Sequence, residues 1–362
     1  MRHLTLVLIS FFILHLSAAA QSEGKFIAAS DSHIQYVGRF SFKDPKAVAF
    51  TYPGVQINAR FTGTSVSLYC KPGSGYFMAQ VDGGLPVKVD LSQKSDSIAL
   101  VRDDLGEGTH ELRLMYAIEG YSIKPAFKGL FLDADGQIKD APERKQRRIE
   151  FIGNSITCGY GLESNDPHEG FSYETENHYW TYAAQTARAL NAEHLVVARS
   201  GIGIYRNYGG PKQGSKDCMP RMYDQVLFNQ EGEYWDYTRY TPDVVLINLG
   251  TNDTSQDLHS VALLKQGYIG FIRQIRSHYP DAKIVLLSGT MLNGGPLRDV
   301  QKAMDRAVSA IRKEGDRNVY RYDMQPQDGT LGYGADYHPN RPQQSKMAKE
   351  LIAYLQKLMN WD

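Results

Sequence analysis

The sequence predicts an antiparallel β-sandwich, jelly-roll-like, followed by an α/β domain on a parallel sheet. Three observations carry this. The chain has 362 residues, room for about two domains at ~150 residues each. Its first third alternates apolar and polar residues between turn signals. The remainder interleaves short wholly apolar runs with helical periodicity.

In chain order, Arg2 and His3 precede an apolar run from Leu4 to Leu16, followed by Ser17-Ala18-Ala19-Ala20. A basic start, an apolar stretch and small residues read as a signal peptide over 1–20, cleaved after Ala20. The expected location is therefore secreted or periplasmic. From 21 to 140 the texture is short strands. Val66, Leu68 and Cys70 alternate with Ser67 and Tyr69; Val87, Val89 and Leu91 alternate with Lys88 and Asp90; Leu112, Leu114 and Tyr116 alternate with Glu111, Arg113 and Met115. Turns at Asp82-Gly83-Gly84 and Gly106-Glu107-Gly108 separate them, which is the pattern of half-buried antiparallel strands. The polar stretch Gly136 to Arg148, with Pro142, reads as a linker.

The second domain is expected over 146–362. Ile149–Phe151, Leu195–Val197, Val244–Leu249 and Ile284–Leu287 are apolar runs suited to strands buried on both faces. Helical periodicity fills Tyr179–Leu190, Val261–His278, Val300–Lys313 and Gln343–Leu358. Alternating strand and helix implies a parallel sheet covered on both sides.

Composition excludes several function classes. Lys+Arg and Asp+Glu number 40 each, so nothing attracts the chain to nucleic acid. No segment after the leader has ~20 uninterrupted apolar residues, so no membrane span is expected in the mature protein. Cys70, Cys158 and Cys218 are too few for a disulfide scaffold. Cys158 and Cys218 could pair, or all three are buried free thiols. No cysteine spacing fits zinc, and Asp166-Pro167-His168-Glu169 matches no metal site, so neither metal nor cofactor is expected.

In a parallel sheet, ligands bind beyond the carboxyl ends of the strands. The first apolar run is followed by Gly153-Asn154-Ser155, the second by Ser200-Gly201 and the third by Gly250-Thr251-Asn252-Asp253; Asp336-Tyr337-His338-Pro339 precedes the last helix. A serine, a glycine, an asparagine and an Asp/His pair on one sheet edge supply what acyl transfer needs: a nucleophile, oxyanion donors, and a base with an orienting acid.

These blocks, in this order, resemble the SGNH (GDSL-type) hydrolase superfamily, whose domain is flavodoxin-like. The run Gly153-Asn154-Ser155-Ile156-Thr157-Cys158-Gly159-Tyr160-Gly161 behind a β-rich domain is similar to the second carbohydrate esterase family, secreted enzymes that deacetylate plant polysaccharides. The resemblance implies Ser155 as nucleophile and His338 as general base. It implies an oxyanion hole of the Ser155 N–H, the Gly201 N–H and the Asn252 amide. Two positions depart from the superfamily pattern. Asn154 replaces the common Asp before the serine, and the usual acid position three residues before the histidine is Ala335. Asp336, two residues before, is the acid candidate; some members use a backbone carbonyl instead.

Tyr160, Tyr173, Trp180, Trp235, Tyr333 and Tyr337 lie near the blocks, with Tyr160 and Tyr337 the candidates for stacking on sugar. The implied function is a carbohydrate O-acetylesterase acting on xylan- or glucomannan-type polymers. The rivals are a lipase or thioesterase on the same fold and a non-catalytic carbohydrate-binding protein.

Overall fold

The structure, a computed structural model, describes residues 24–228 and 230–362. The expected signal peptide lies outside the described residues. The N-terminal strands are β1 (Lys25–Ala28), β2 (Gln35–Val37), β3 (Val48–Ala49), β4 (Gln56–Thr62), β5 (Val66–Cys70), β6 (Gly75–Val81), β7 (Val87–Leu91), β8 (Ile98–Arg102), β9 (Thr109–Tyr116), β10 (Ala126–Leu132) and β11 (Gln137–Lys139). One sheet has the order β1-β10-β5-β8, with β3 also on β10; the other has β11-β4-β9-β6-β7, with β2 on β4. All their pairings are antiparallel. Inward residues alternate along β5 and β9 as the period-two pattern requires: Val66, Leu68, Cys70, Leu112 and Leu114 are buried. The expected linker is shorter than its composition suggests, because β11 occupies part of it.

The second sheet system begins at β12 (Arg147–Gly153) and continues with α1 (Ser155–Cys158), α2 (Tyr182–Ala189), β13 (Ala192–Ala198), α3 (Met219–Met222), the hairpin β14 (Gln225–Leu227) and β15 (Gln230–Tyr234), β16 (Val244–Asn248), α4 (Val261–His278), β17 (Lys283–Ser288), α5 (Gly294–Lys313), β18 (Val319–Asp323) and α6 (Arg341–Met359). Its parallel order is β13-β12-β16-β17-β18. The order in which strands are added reverses at β12, which lies between β13 on one side and β16 on the other. This is the topological switch point at which open α/β sheets leave a crevice.

Successive side chains of a strand leave opposite faces. Ile149, Phe151, Leu246, Val285 and Leu287 accordingly pack with Ala183 and Ala187 of α2 and Met347, Leu351 and Leu355 of α6. Ile152, Val245, Ile247, Ile284 and Leu286 belong to a cluster with residues of α4 and α5 that runs unbroken into the sandwich core. The domains are also joined by polar contacts. The buried Arg39 guanidinium lies 3.5 Å from the Glu150 carboxylate within a box of Tyr52, Tyr223, Trp235 and Tyr237 rings. The Lys88 ammonium reaches Glu163 at 2.5 Å. Cys70, Cys158 and Cys218 are free and buried, so the Cys158–Cys218 pairing is not formed. Among the described residues no helix is long and apolar enough to cross a membrane.

Candidate active site

Ser155 opens the short helix α1 directly after β12. Its predecessor Asn154 caps that helix, the side chain accepting the Ile156 N–H at 3.1 Å. The first N–H groups of a helix have no partner within it, so the Ser155 N–H is not used by α1. A Cβ at Gly153 would overlap the Thr157 side chain; only glycine lets the chain turn from strand to helix this tightly. Ser155 is nearly buried at the cleft floor.

His338 comes from the loop before α6. Its Nε2 lies 2.9 Å from Ser155 Oγ and its Nδ1 lies 3.1 Å from the Ala335 carbonyl oxygen. A carbonyl only accepts, so Nδ1 carries the ring proton and Nε2 presents its lone pair to the serine. Burial pushes His338 down to about 4, against the opposing pull of the Ala335 carbonyl and the Asp336 charge. The imidazole is neutral at pH 7 and able to take a proton.

The expected contact from Asp336 to the ring is replaced. Asp336 stands in the left-handed region (φ 48°), as does Tyr337 (φ 58°), and this double turn carries the carboxylate away from Nδ1. It accepts a hydrogen bond from the Tyr160 hydroxyl. The Tyr160 ring lies parallel to His338, centroids 4.1 Å apart and planes 19° apart. Tyr160 therefore faces the imidazole, and Asp336 holds Tyr160. The loop below is pinned by backbone bonds from Ala335 N to Gly161 O and from Asp336 N to Glu169 O. The Asp166–Glu169 stretch is thus a support for the histidine loop.

Across the cleft, Gly201 adopts φ 75°, a conformation that strains any residue with a Cβ. Asn252 donates one amide N–H to the Ile202 carbonyl at 2.8 Å, leaving its second N–H for a ligand. Two carboxyl groups missed in the sequence anchor this loop. Buried Asp253 accepts the backbone N–H groups of Ile204, Tyr205 and Arg206 at 2.8–3.0 Å. Buried Glu119, from the sandwich side, accepts the Ser200 N–H at 2.7 Å.

Ser155, His338, Gly201, Asn252, Asp336, Tyr160 and Tyr337 all line one cleft of about 600 Å³. Sandwich residues Glu119, Tyr121 and Ser122 line it too. Its rim includes Tyr121, Phe171, Tyr208 and Tyr337, exposed by 54, 41, 67 and 48%. Of these only Tyr337 was singled out by its place in the sequence. Trp235 is buried in the Arg39 box, and Trp180 lies under the Arg341 guanidinium at 3.5 Å; neither lines the cleft. Among the described residues, one group of ligand-type side chains converges: Glu119, Cys158 and Glu176, with donor atoms within 4.8 Å of one another. Their separations in sequence give no signal.

Residues 36–142 match the carbohydrate esterase 2 N-terminal domain and residues 151–343 the GDSL-like lipase/acylhydrolase family. The chain is 36% identical over 331 residues to the cellulase/esterase CelE of Acetivibrio thermocellus, covering 91% of this chain and 40% of that protein's length. It is 29% identical over 343 residues to an acetylxylan esterase/glucomannan deacetylase of Cellvibrio japonicus, covering 92% and 91%. A family two carbohydrate esterase from Clostridium thermocellum, solved with cellohexaose, superposes with a TM-score of 0.84 at 36% identity, covering 91% of this chain and all of that one.

Proposed function

Because the chain belongs to the GDSL-like lipase/acylhydrolase family, in the two-domain form of the family 2 carbohydrate esterases, and is a carboxylic ester hydrolase, we propose that it is a secreted carbohydrate O-acetylesterase working through a serine acetyl-enzyme. The observation that carries the reading is the 2.9 Å contact between His338 Nε2 and Ser155 Oγ at the floor of an aromatic-rimmed cleft.

The chemistry follows from the groups present. His338 Nε2 removes the Ser155 hydroxyl proton as Oγ bonds to the acetyl carbonyl carbon. The carbonyl oxygen becomes an oxyanion facing the Ser155 N–H, the Gly201 N–H and the free Asn252 N–H, donors fixed before the charge develops. The ester C–O bond to the sugar breaks, and the imidazolium returns its proton to the sugar oxygen. A water then gives a proton to His338 and attacks the acetyl-enzyme. Acetate leaves and Ser155 regains its hydrogen. The Ala335 carbonyl holds the tautomer, and the stacked Tyr160 face attracts the imidazolium as it forms. Asp336 acts through Tyr160.

The exposed aromatic rim suits the apolar faces of sugar rings, and the relatives named as acetylxylan esterase/glucomannan deacetylase direct the substrate reading to acetylated xylan or glucomannan. We take 1–20 as signal peptide, 21–140 as sandwich and 146–362 as catalytic domain. The test is acetate release from acetylated xylan, glucomannan and pectin, beside para-nitrophenyl acetate against longer acyl esters. Polymer deacetylation with a preference for acetyl is expected. Preference for long acyl chains would turn the reading to a lipase or thioesterase. Glycan binding without hydrolysis would turn it to a carbohydrate-binding protein.

A further inference from the structure

We infer that Glu119, contributed by the N-terminal domain, is the positioning residue of the oxyanion turn: its carboxyl group fixes the Ser200–Gly201 backbone so that the Gly201 N–H faces the developing oxyanion. The inference rests on the reading above, in which Gly201 is an oxyanion donor.

Glu119 follows β9 at the point where the sandwich meets the cleft. It touches both the Ser200 turn and the helix that Ser155 opens. Its Oε2 accepts the Ser200 N–H at 2.7 Å, and Ser200 immediately precedes Gly201. The same oxygen lies 3.8 Å from the Cys158 thiol, on the helix that Ser155 opens. Its own backbone N–H donates to Glu176 Oε1 at 3.2 Å, which ties it to the segment before α2. The residue is 1% exposed. A side chain so enclosed has one place to be, and the peptide it holds is equally constrained.

Other bonds of the turn fall on its far side, where the Tyr208 N–H donates to the Gly201 carbonyl at 2.8 Å and the Asn252 amide donates to the Ile202 carbonyl. Gly201 has no side chain, and a Cβ built on it would meet only Tyr208, at 4.0 Å. The Asp253 anchors begin at Ile204, beyond the donor. Glu119 is thus the side chain that restrains the peptide next to it. Burial raises both Glu119 and Glu176 above the ordinary carboxylate range, with the neighbouring Glu119 adding to the rise of Glu176. Burial thus disfavours the charged form of the carboxyl beside the turn, so an uncharged acceptor of the same length suits the site. This makes glutamine the informative replacement. Its carbonyl can accept the Ser200 N–H at the same reach, whereas alanine leaves that N–H without its acceptor.

The experiment measures kcat and KM on an acetyl ester, and inhibition by methylboronic acid, for wild type, Glu119→Ala, Glu119→Asp and Glu119→Gln. The boronate adds to the serine and places an oxygen among the oxyanion donors. Misplacing a reacting or stabilising group by about 1 Å costs on the order of 10²-fold. Glu119→Ala is therefore expected to lose about 10–100-fold in kcat with KM little changed, the signature of a lost transition-state interaction. Boronate affinity should fall in proportion. Glu119→Gln should keep both near wild type. Glu119→Asp, which withdraws the carboxyl by one methylene, should lose kcat and boronate affinity together, and it carries the test if the alanine variant does not fold. Wild-type kcat in folded Glu119→Ala or Glu119→Asp overturns the role, as does a Glu119→Gln protein as slow as Glu119→Ala. Ser155→Ala assayed alongside separates the failures. A folded, active Ser155→Ala protein overturns the serine reading itself. An inactive one beside a fully active Glu119→Ala overturns only the positioning role.

Discussion

The two domains face the same cleft but give it different kinds of group. The α/β domain supplies every side chain proposed for covalent chemistry; the sandwich supplies one loop bearing Glu119, Tyr121 and Ser122. The difference has a geometric cause. Parallel strands all end on the same edge, so the segments after β12, β13 and β16 converge. Antiparallel strands alternate direction, and their turns are shared between two ends of the sandwich. Catalytic groups accumulate where loops converge, while a neighbouring domain contributes by docking.

The largest expected effect lies on the parallel-sheet side. His338→Ala should lower kcat by roughly 10⁵–10⁶, as for loss of the base in a serine hydrolase; steady-state rates on an acetyl ester measure it, and retention of even a tenth of the activity would remove His338 from the mechanism. Asn252→Ala should cost about 10²–10³ in kcat with little change in KM. A rise in KM alone would make Asn252 a binding residue.

Asp336→Ala tests a finer division within that side. Because Nδ1 rests on the Ala335 carbonyl, the variant is expected to lose about tenfold or less, against the roughly 10⁴-fold loss known when a direct orienting carboxylate is replaced. Tyr160→Phe should give a loss of similar size, since both changes release the same clamp. A loss in Asp336→Ala approaching that of His338→Ala would restore the carboxylate to the imidazole.

Tyr121→Ala probes the sandwich. It should weaken the apparent KM for acetylated polymer by a few-fold, the order of about 1 kcal/mol for one stacked ring, and leave para-nitrophenyl acetate unaffected. Equal loss on both substrates would mean that the sandwich shapes the chemistry through this residue as well.

pH distinguishes the regions in another way. His338 is held down to about 4, so it stays a free base as pH falls below 6.5, and the acid limb of kcat/KM should lie well under the ordinary histidine value. A limb at 6.5 would contradict the burial argument. At the domain interface, His178 is also pushed down to about 4 by burial, and His194, 3.4 Å away, is pushed well below its ordinary value by burial and by His178. The unfolded chain protonates these rings first, so it binds more protons between about 4 and 6.5. Stability is therefore complete above 6.5 and is lost as pH falls through that window. Urea midpoints at pH 7.5 and 5 should differ in that direction; equal midpoints would show that the pair does not govern acid stability.

Much of the candidate site was legible because three of its four blocks follow an apolar run, and a run buried on both faces identifies a strand and its end; the fourth was read from its place before the last helix. Val261–His278 was read to its ends for the same reason of clear periodicity. β18 was missed because its sequence, Val-Tyr-Arg-Tyr-Asp, is a half-exposed edge strand that lacks such a run. α5 begins earlier than its apolar pattern, since Gly294-Gly295-Pro296 masks the first turn. Asp336 was misplaced because two successive left-handed residues, neither of them glycine, redirect its carboxylate. Glu119 was invisible for a different reason: its partners are brought to it by domain docking, and no spacing within one segment records that.

The central claim is tested most directly by acetate release from acetylated glucomannan, compared between wild type and a Ser155→Ala protein of matched melting temperature. The account predicts steady release by the wild type and none above the uncatalysed rate by the variant. Substantial release by folded Ser155→Ala would contradict it.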